Sequence, residues 1–141
     1  MRLSWVHATL CFYSATALLV CGCGPNTDRL YPVHGIVAFK DGPPVRGGTI
    51  EFMSVEGGRS AIGQIASDGK FKLTTIDDGD GTVAGNHKVI VLQGGVPIGG
   101  GEIHHHGPAV PARYGKYETS GLTAQVHADR KNDLRVELAV R

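Results

Sequence analysis

The sequence predicts an all-β domain, folded as a seven-stranded antiparallel β-sandwich. Three observations favour this fold class. Apolar and polar residues alternate in several short segments, which is the period of a half-buried strand. Turn residues interrupt these segments about every eight to twelve residues, and the 141-residue chain contains 21 glycines. No segment of helix length repeats its apolar residues at helical spacing.

The N-terminal segment has the features of a secretory signal. Arg2 is followed by residues 3–20, which contain no Asp, Glu, Lys or Arg. A charged start, an apolar stretch and small residues at a cut site are the layout of a cleaved signal. The apolar stretch is also long enough to span a bilayer, so a retained anchor is the alternative. The hydroxyl side chains and His7 within the stretch favour cleavage.

Two cysteines close this leader, one residue apart. The segment VCGC, residues 20–23, resembles the lipobox of bacterial lipoproteins. In that motif an apolar residue stands three places before the modified cysteine, and a small residue stands directly before it. Val20 and Gly22 fit the motif for Cys23. The resemblance therefore assigns residues 1–22 as a lipoprotein signal peptide and Cys23 as the lipidation site. Ordinary signal cleavage that leaves a free thiol is the alternative.

Loss of the leader determines which cysteines and charged residues remain in the mature chain. Cys11 and Cys21 leave with it, so the domain has no internal disulfide. Residues 23–31 are predicted to be the lipidated cysteine and a short tether, and residues 32–141 are the length of one domain. Basic and acidic side chains are then equal in number, so we expect no basic surface for nucleic acid.

Seven segments of the domain carry the strand pattern, and they are residues 32–40, 48–55, 61–67, 70–76, 87–93, 122–128 and 133–141. The first segment places Val33, Val37 and Phe39 on one face. The second places Ile50 and Phe52 on one face, with polar or flexible residues between them. This regular spacing is typical of two packed antiparallel sheets.

The middle segments are joined by recognisable turns. Asp68 and Gly69 predict a hairpin turn, after which Phe71 and Leu73 point the same way. The register across this turn stays open, because a two-residue loop and a longer loop place different residues opposite Phe71. The fifth segment is the most apolar and is predicted to be central. Residues 94–121 are rich in Gly, Pro and His and predict an irregular connection.

The last two segments alternate most cleanly. Their polar residues are predicted to face solvent. Their inward-facing residues are predicted to be Leu122, Ala124, Val126, Leu134, Val136, Leu138 and Val140.

The order of these motifs resembles a known family. Residues 31–52, 66–73 and 84–91 resemble, in turn, the opening strands, the Asp-Gly-x-Phe hairpin and a later strand entry of carboxypeptidase regulatory-like, or transthyretin-like, domains. Residues 110–138 resemble the C-terminal half of small bacterial lipoproteins built on this domain. His87 departs from the family, in which an aromatic residue is frequent at that place.

The resemblance implies a prealbumin-like, immunoglobulin-like Greek-key β-sandwich without catalytic machinery. Such modules pack against other domains or bind partners. The expected function is therefore a non-enzymatic, lipid-anchored module of the cell envelope that contacts a protein or a polysaccharide. Gly24 stands where an Asp would favour inner-membrane retention, which favours the outer membrane, facing the periplasm or the cell surface. Hydroxyisourate hydrolases of the transthyretin-like group end in Tyr-Arg-Gly-Ser, whereas this chain ends in LAVR.

The alternative function is divalent-metal binding by residues 102–108, EIHHHGP. Neutral imidazole is the commonest protein ligand for zinc and copper. In an extended segment His104 and His106 point to the same side and could share a metal with Glu102, while His105 points away. A solvated His-rich loop is the competing interpretation. No other cofactor is expected.

Two further segments have a functional and a structural interpretation. Asp77, Asp78 and Asp80 could hold calcium, but the segment lacks the Gly and Glu that an EF-hand loop requires, so an ordinary turn is favoured. A second group could form an exposed interaction surface, because Tyr and Arg often anchor interfaces. Capping of the open sandwich edge is the competing interpretation for this group, which comprises Arg113, Tyr114, Lys116 and Tyr117.

Overall fold

A computed structural model describes residues 29–94 and 108–140. The described strands are β1 Leu30–Tyr31, β2 Val33–Phe39, β3 Gly48–Ser54, β4 Ser60–Ile65, β5 Lys70–Lys72, β6 Thr82–Val83, β7 Gly85–Leu92, β8 Leu122–Val126 and β9 Asn132–Leu138. A 3-10 turn at Ala112–Gly115 and a short helix, α1, at Tyr117–Ser120 precede β8. In these two ranges no helix has the length and hydropathy needed to cross a membrane. The predicted leader and Cys23 lie outside the described residues.

The strands form two main sheets that share one core. One sheet has the order β5–β2–β9 and the other has the order β4–β3–β7–β8, while β1 and β6 form a small separate ladder. Both sheets contribute to a single buried cluster, which includes Val37, Phe52, Phe71, Val89 and Leu138. The predictions of an all-β fold and of a central strand at β7 are confirmed.

The structure differs from the prediction in strand number and in one pairing. β2 and β9 pair in parallel, from Val33 opposite Asn132 to Phe39 opposite Leu138, whereas we expected antiparallel pairs throughout. The chain crosses after β8 from the four-stranded sheet to the start of β2, so β9 runs in the same direction as β2. The described residues contain nine strands rather than seven. The additional strands, β1 and β6, have two residues each, too few for an alternating pattern.

The predicted turn at Asp68 and Gly69 forms, but its two arms enter different sheets. Gly69 has φ 82°, a conformation that favours glycine, and its N–H donates to the Ala66 carbonyl at 2.9 Å. β4 then pairs with β3, whereas β5 pairs with β2. An isolated bridge between Ile62 and Thr74 joins the arms again. This hairpin therefore closes one side of the two-layer structure.

The burial of the last strand departs from the prediction at one residue. Val136 and Leu138 are buried as expected, but Val140 is 60% exposed. β9 ends at Leu138, whose carbonyl accepts the Lys40 N–H at 2.8 Å. Ala139 is held by side chains outside the sheet, as described below, so the alternation stops there.

The β1–β6 ladder fixes which strand ends lie together. Leu30 pairs with Val83; β1 continues into β2, and β6 continues into β7. The starts of β2, β7 and β9 therefore lie at one end of the domain, which we call the tether end because the chain enters there. The ends of the same three strands lie at the opposite end, which we call the far end.

Candidate functional site

The segment before β8 closes the far end of the domain. Tyr114 is 4% exposed and belongs to the core. Its hydroxyl accepts the Ala139 N–H at 2.8 Å and donates to the Ala139 carbonyl at 3.3 Å. The Arg113 Nη2 donates to the same carbonyl at 2.6 Å and to the Tyr114 hydroxyl at 2.9 Å. Two side chains thus satisfy both backbone groups of the residue that follows β9.

The exposed-surface interpretation is wrong for Tyr114. Its ring is in the core and its hydroxyl is used by the backbone, which is the geometry of the competing interpretation, a cap on the sandwich edge. The physical reason is that backbone groups at a strand end need partners when they lie beside a core. Of the other three residues, Lys116 is exposed, while Arg113 and Tyr117 are half-buried.

Tyr117 differs from Tyr114 in its hydrogen bonding. Its hydroxyl is buried and makes no hydrogen bond of good geometry among the described residues, although the side chains of Glu51 and Ser60 lie close to it. The carboxylate of Glu51 lies nearby and accepts a hydrogen bond from Ser60. Burial raises the pKa of Tyr117 to about 12, and the Glu51 carboxylate adds to the rise.

His87 is a fully buried polar residue on the inner face of β7. The Gly85 carbonyl can only accept, so His87 Nδ1 carries the proton and donates to it at 3.2 Å; Nε2 then accepts from the Thr82 hydroxyl at 3.3 Å. Burial lowers the pKa of His87, against the opposing effects of the Gly85 carbonyl and of Glu56. Both ring nitrogens are therefore engaged by neighbouring groups of the fold.

Asp80 organises the loop between β5 and β6. Its carboxylate accepts the N–H groups of Thr75 at 2.7 Å, Ile76 at 2.8 Å and Asp77 at 2.8 Å. Burial opposes ionisation of Asp80, but these three amides outweigh it and lower its pKa. Asp78 pairs instead with a lysine of β5 at 2.7 Å. The carboxylates thus act separately, as in the ordinary turn that the sequence favoured.

The predicted metal ligands Glu102, His104 and His106 lie outside the described residues. Within residues 29–94 and 108–140, no three His, Cys, Asp or Glu side chains gather as a metal site would require. The two ends of the intervening segment are described, and they meet. The Gln93 side chain accepts the Val110 N–H at 2.7 Å. Gln93 and Val110, which flank the segment with the histidines, therefore lie together at the far end.

A shallow groove of about 490 Å³ lies on the three-stranded sheet. His34 and Ile36 of β2 occupy its middle, because β2 lies between β5 and β9. Lys70 borders one side and Arg135 borders the other. Each of these cations has an acidic neighbour on its own strand or turn, at 2.8 Å and 2.9 Å respectively. The groove thus places an apolar residue between paired charges on the outer face of the sheet.

The sequence analysis missed the role of His87, whereas it gave edge capping as one interpretation of Tyr114 without identifying the residue that Tyr114 contacts. Alternation in β7 places His87 on the inner face together with Val89 and Val91, and this position was the available signal for a buried polar residue. The Tyr114 contact had no comparable signal, because it joins residues that are 25 positions apart in the chain.

Comparison with known proteins found no matching family model, no matching curated protein and no matching solved structure. The resemblance to carboxypeptidase regulatory-like domains therefore enters the functional argument as a proposal.

The contrast between the two tyrosines can be measured directly. Tyr114→Phe removes the hydroxyl that binds the Ala139 N–H, so we expect the free energy of unfolding to fall by about 0.5–1.5 kcal/mol, the net contribution of a typical hydrogen bond. Tyr117→Phe removes a buried hydroxyl that makes no hydrogen bond of good geometry in the described chain, so we expect a smaller loss of stability than in Tyr114→Phe. Urea unfolding of both variants measures the difference. An equal loss in both would contradict the assigned hydrogen bonds.

Burial of His87 predicts a pH-dependent stability. Its pKa in the folded state is lower than the ordinary 6.5, so the unfolded chain binds a proton first as the pH falls. This contribution is fully present above pH 6.5 and is lost as the pH falls below it. Stability measured from pH 8 to pH 5 should therefore fall less steeply in His87→Gln than in the parent. Tyr114→Phe retains His87 and should keep the slope of the parent; a shallower slope there would reject His87 as the cause.

Proposed function

We propose that this chain is a non-enzymatic, lipid-anchored module of the cell envelope that presents a β-sandwich to a protein or a polysaccharide. In finer detail, we propose a prealbumin-like, immunoglobulin-like Greek-key sandwich of the carboxypeptidase regulatory-like type, held at the outer membrane. The observation that carries the proposal is the lipobox-like segment at residues 20–23, which is followed after a few polar residues by a folded β domain.

The length of the tether supports a defined orientation at the membrane. Cys23 and Leu30 are separated by seven residue steps, which span at most about 25 Å when fully extended. The tether end would therefore lie close to the bilayer. Strands of seven or eight residues extend for about another 25 Å. The far end, where the segment with the histidines is attached, would thus point away from the membrane.

The use of the polar side chains supports binding rather than catalysis. His87, Asp80 and Tyr114 are residue types that often serve as catalytic acids, bases or ligands. Here each one contacts a backbone group or a buried hydroxyl of its own domain. By contrast, His34 and Arg135 lie in the open groove on the three-stranded sheet. The outer surface is therefore the part of the domain best placed to meet a partner.

Metal binding by Glu102, His104 and His106 is the second candidate. The contact between Gln93 and Val110 favours it, because it holds both ends of the segment together at the far end. A closed segment costs less entropy to order around an ion than an open one.

The lipid anchor predicts a difference between two neighbouring cysteines. Cys23→Ser should abolish fatty-acid addition and leave residues 1–22 attached, whereas Cys21→Ser should be processed like the parent. The intact mass of protein taken from membranes measures both lipid addition and the removal of residues 1–22. A lipidated Cys23→Ser product, or a parent that lacks added lipid mass, would contradict the anchor.

The metal hypothesis is tested with zinc ions and the full chain in detergent. We expect calorimetry to detect zinc binding to the parent and to the control variant His127→Ala. His127 follows β8 and lies outside the segment with the proposed ligands. The double variant His104→Ala, His106→Ala should lose that heat. Equal binding by the double variant would reject the site without affecting the anchor.

A further inference from the structure

β9 forms the edge of the three-stranded sheet within the described part of the chain. The hydrogen bonds of β2 show which backbone N–H and C=O groups of β9 point away from the sheet. The Val33 carbonyl accepts from Leu73, and the Val37 N–H donates to Gly69, so these two β2 residues bond toward β5 and its turn. The alternate residues of β2 therefore bond toward β9.

The register then assigns the backbone groups of β9. His34 lies opposite Asp133 in the parallel ladder. The backbone N–H and C=O of His34 therefore bond to Asn132 and Leu134, the two neighbours of Asp133. The Lys40 N–H, which donates to Leu138, continues this series. The N–H and C=O groups of Asp133, Arg135 and Glu137 therefore point to the free edge.

This free edge is bounded at both ends. Ala139 is the next residue in the odd-numbered series, and its N–H and C=O are already bound by Tyr114 and Arg113. At the start of β9, the Asn132 side chain accepts the His127 N–H at 2.8 Å and donates to the His127 carbonyl at 3.0 Å. Among the described residues, a short stretch of backbone is thus left unpaired between these two fixed points.

The outer face of this stretch carries charges of alternating sign. Lys131, Asp133, Arg135 and Glu137 are all exposed. Within one chain they form two neighbouring pairs, at 3.8 Å and 2.9 Å. Charged residues on an edge strand ordinarily oppose pairing with another strand. An alternating series is different. When two copies of it run antiparallel, each positive residue can face a negative residue of the other copy.

We propose that the edge of β9 binds the same edge of a second copy of this chain, in an antiparallel pair centred on Leu134. In that register Asp133 lies opposite the partner's Arg135, and Lys131 lies opposite the partner's Glu137. The two-fold symmetry doubles both pairs. The two three-stranded sheets then form one continuous six-stranded sheet. The pairing goes beyond the proposed function and does not depend on the lipid anchor.

The charge pattern also disfavours the register centred one residue further along. An antiparallel pair centred on Arg135 would place this residue against the partner's Arg135, and Asp133 against the partner's Glu137. Like charges directly opposite each other are destabilising. On the inner face, the half-buried Leu134 would meet the partner's Leu134 at a position without cross-strand hydrogen bonds, where side chains approach most closely.

Charge reversal on the full chain in detergent tests the pairing. Arg135→Glu places like charges together at two symmetric positions, so we expect the dimer dissociation constant to rise about tenfold or more. Adding Asp133→Arg to this variant restores opposite pairs and should restore the dimer. Sedimentation equilibrium measures all three proteins. A monomeric parent, an unaffected Arg135→Glu variant, or a double variant that stays dissociated would each overturn the proposal.

Disulfide trapping tests the register. In a chain carrying Cys11→Ser, Cys21→Ser and Cys23→Ser, so that the added thiol has no competitor, Leu134→Cys should form a covalent dimer under mild oxidation, because the two-fold axis brings the pair within disulfide range. Arg135→Cys is the matched control, since its two copies would lie diagonally and farther apart. Trapping of the control as efficiently as of Leu134→Cys would contradict this register.

Discussion

The parallel ladder between β2 and β9 is the contact on which the rest of the structure depends. It joins the first long strand of the described chain to the last, and it buries Val37 and Leu138 in the core shared with the other sheet. It also requires close approach: a Cβ on Gly35 would lie 2.1 Å from the Leu134 carbonyl oxygen. Because β2 and β9 lie near opposite ends of the described chain, this ladder ties the intervening strands of both sheets into one arrangement.

A second constraint follows from that ladder, since its ends must not leave backbone groups without partners. Tyr114 satisfies Ala139 at the far end, and Asn132 satisfies His127 at the tether end. These side chains are thereby used for structure. The exposed edge and the groove beside it remain for contacts with other molecules, which is why we place binding rather than chemistry at the centre of the proposed function.

The sequence allowed the local features of the fold to be predicted, because these depend on the alternation of apolar and polar residues along each strand. Alternation correctly placed Ile50 and Phe52 in the core. The pairing of β2 with β9 was not predictable in the same way, since period does not reveal which sheet a strand joins. Val140 shows the same limit: the pattern continued through it, but the contacts of Ala139 end the strand.

Amide hydrogen exchange, resolved by residue, tests the β2–β9 ladder most directly. It is best measured on the Arg135→Glu variant, in which pairing between copies should not mask the edge. The ladder predicts slow exchange at Leu134, Val136 and Leu138, whose N–H groups donate to β2. It predicts fast exchange at Asp133 and Glu137. Equal rates at the two sets, or the reverse pattern, would contradict the parallel pairing.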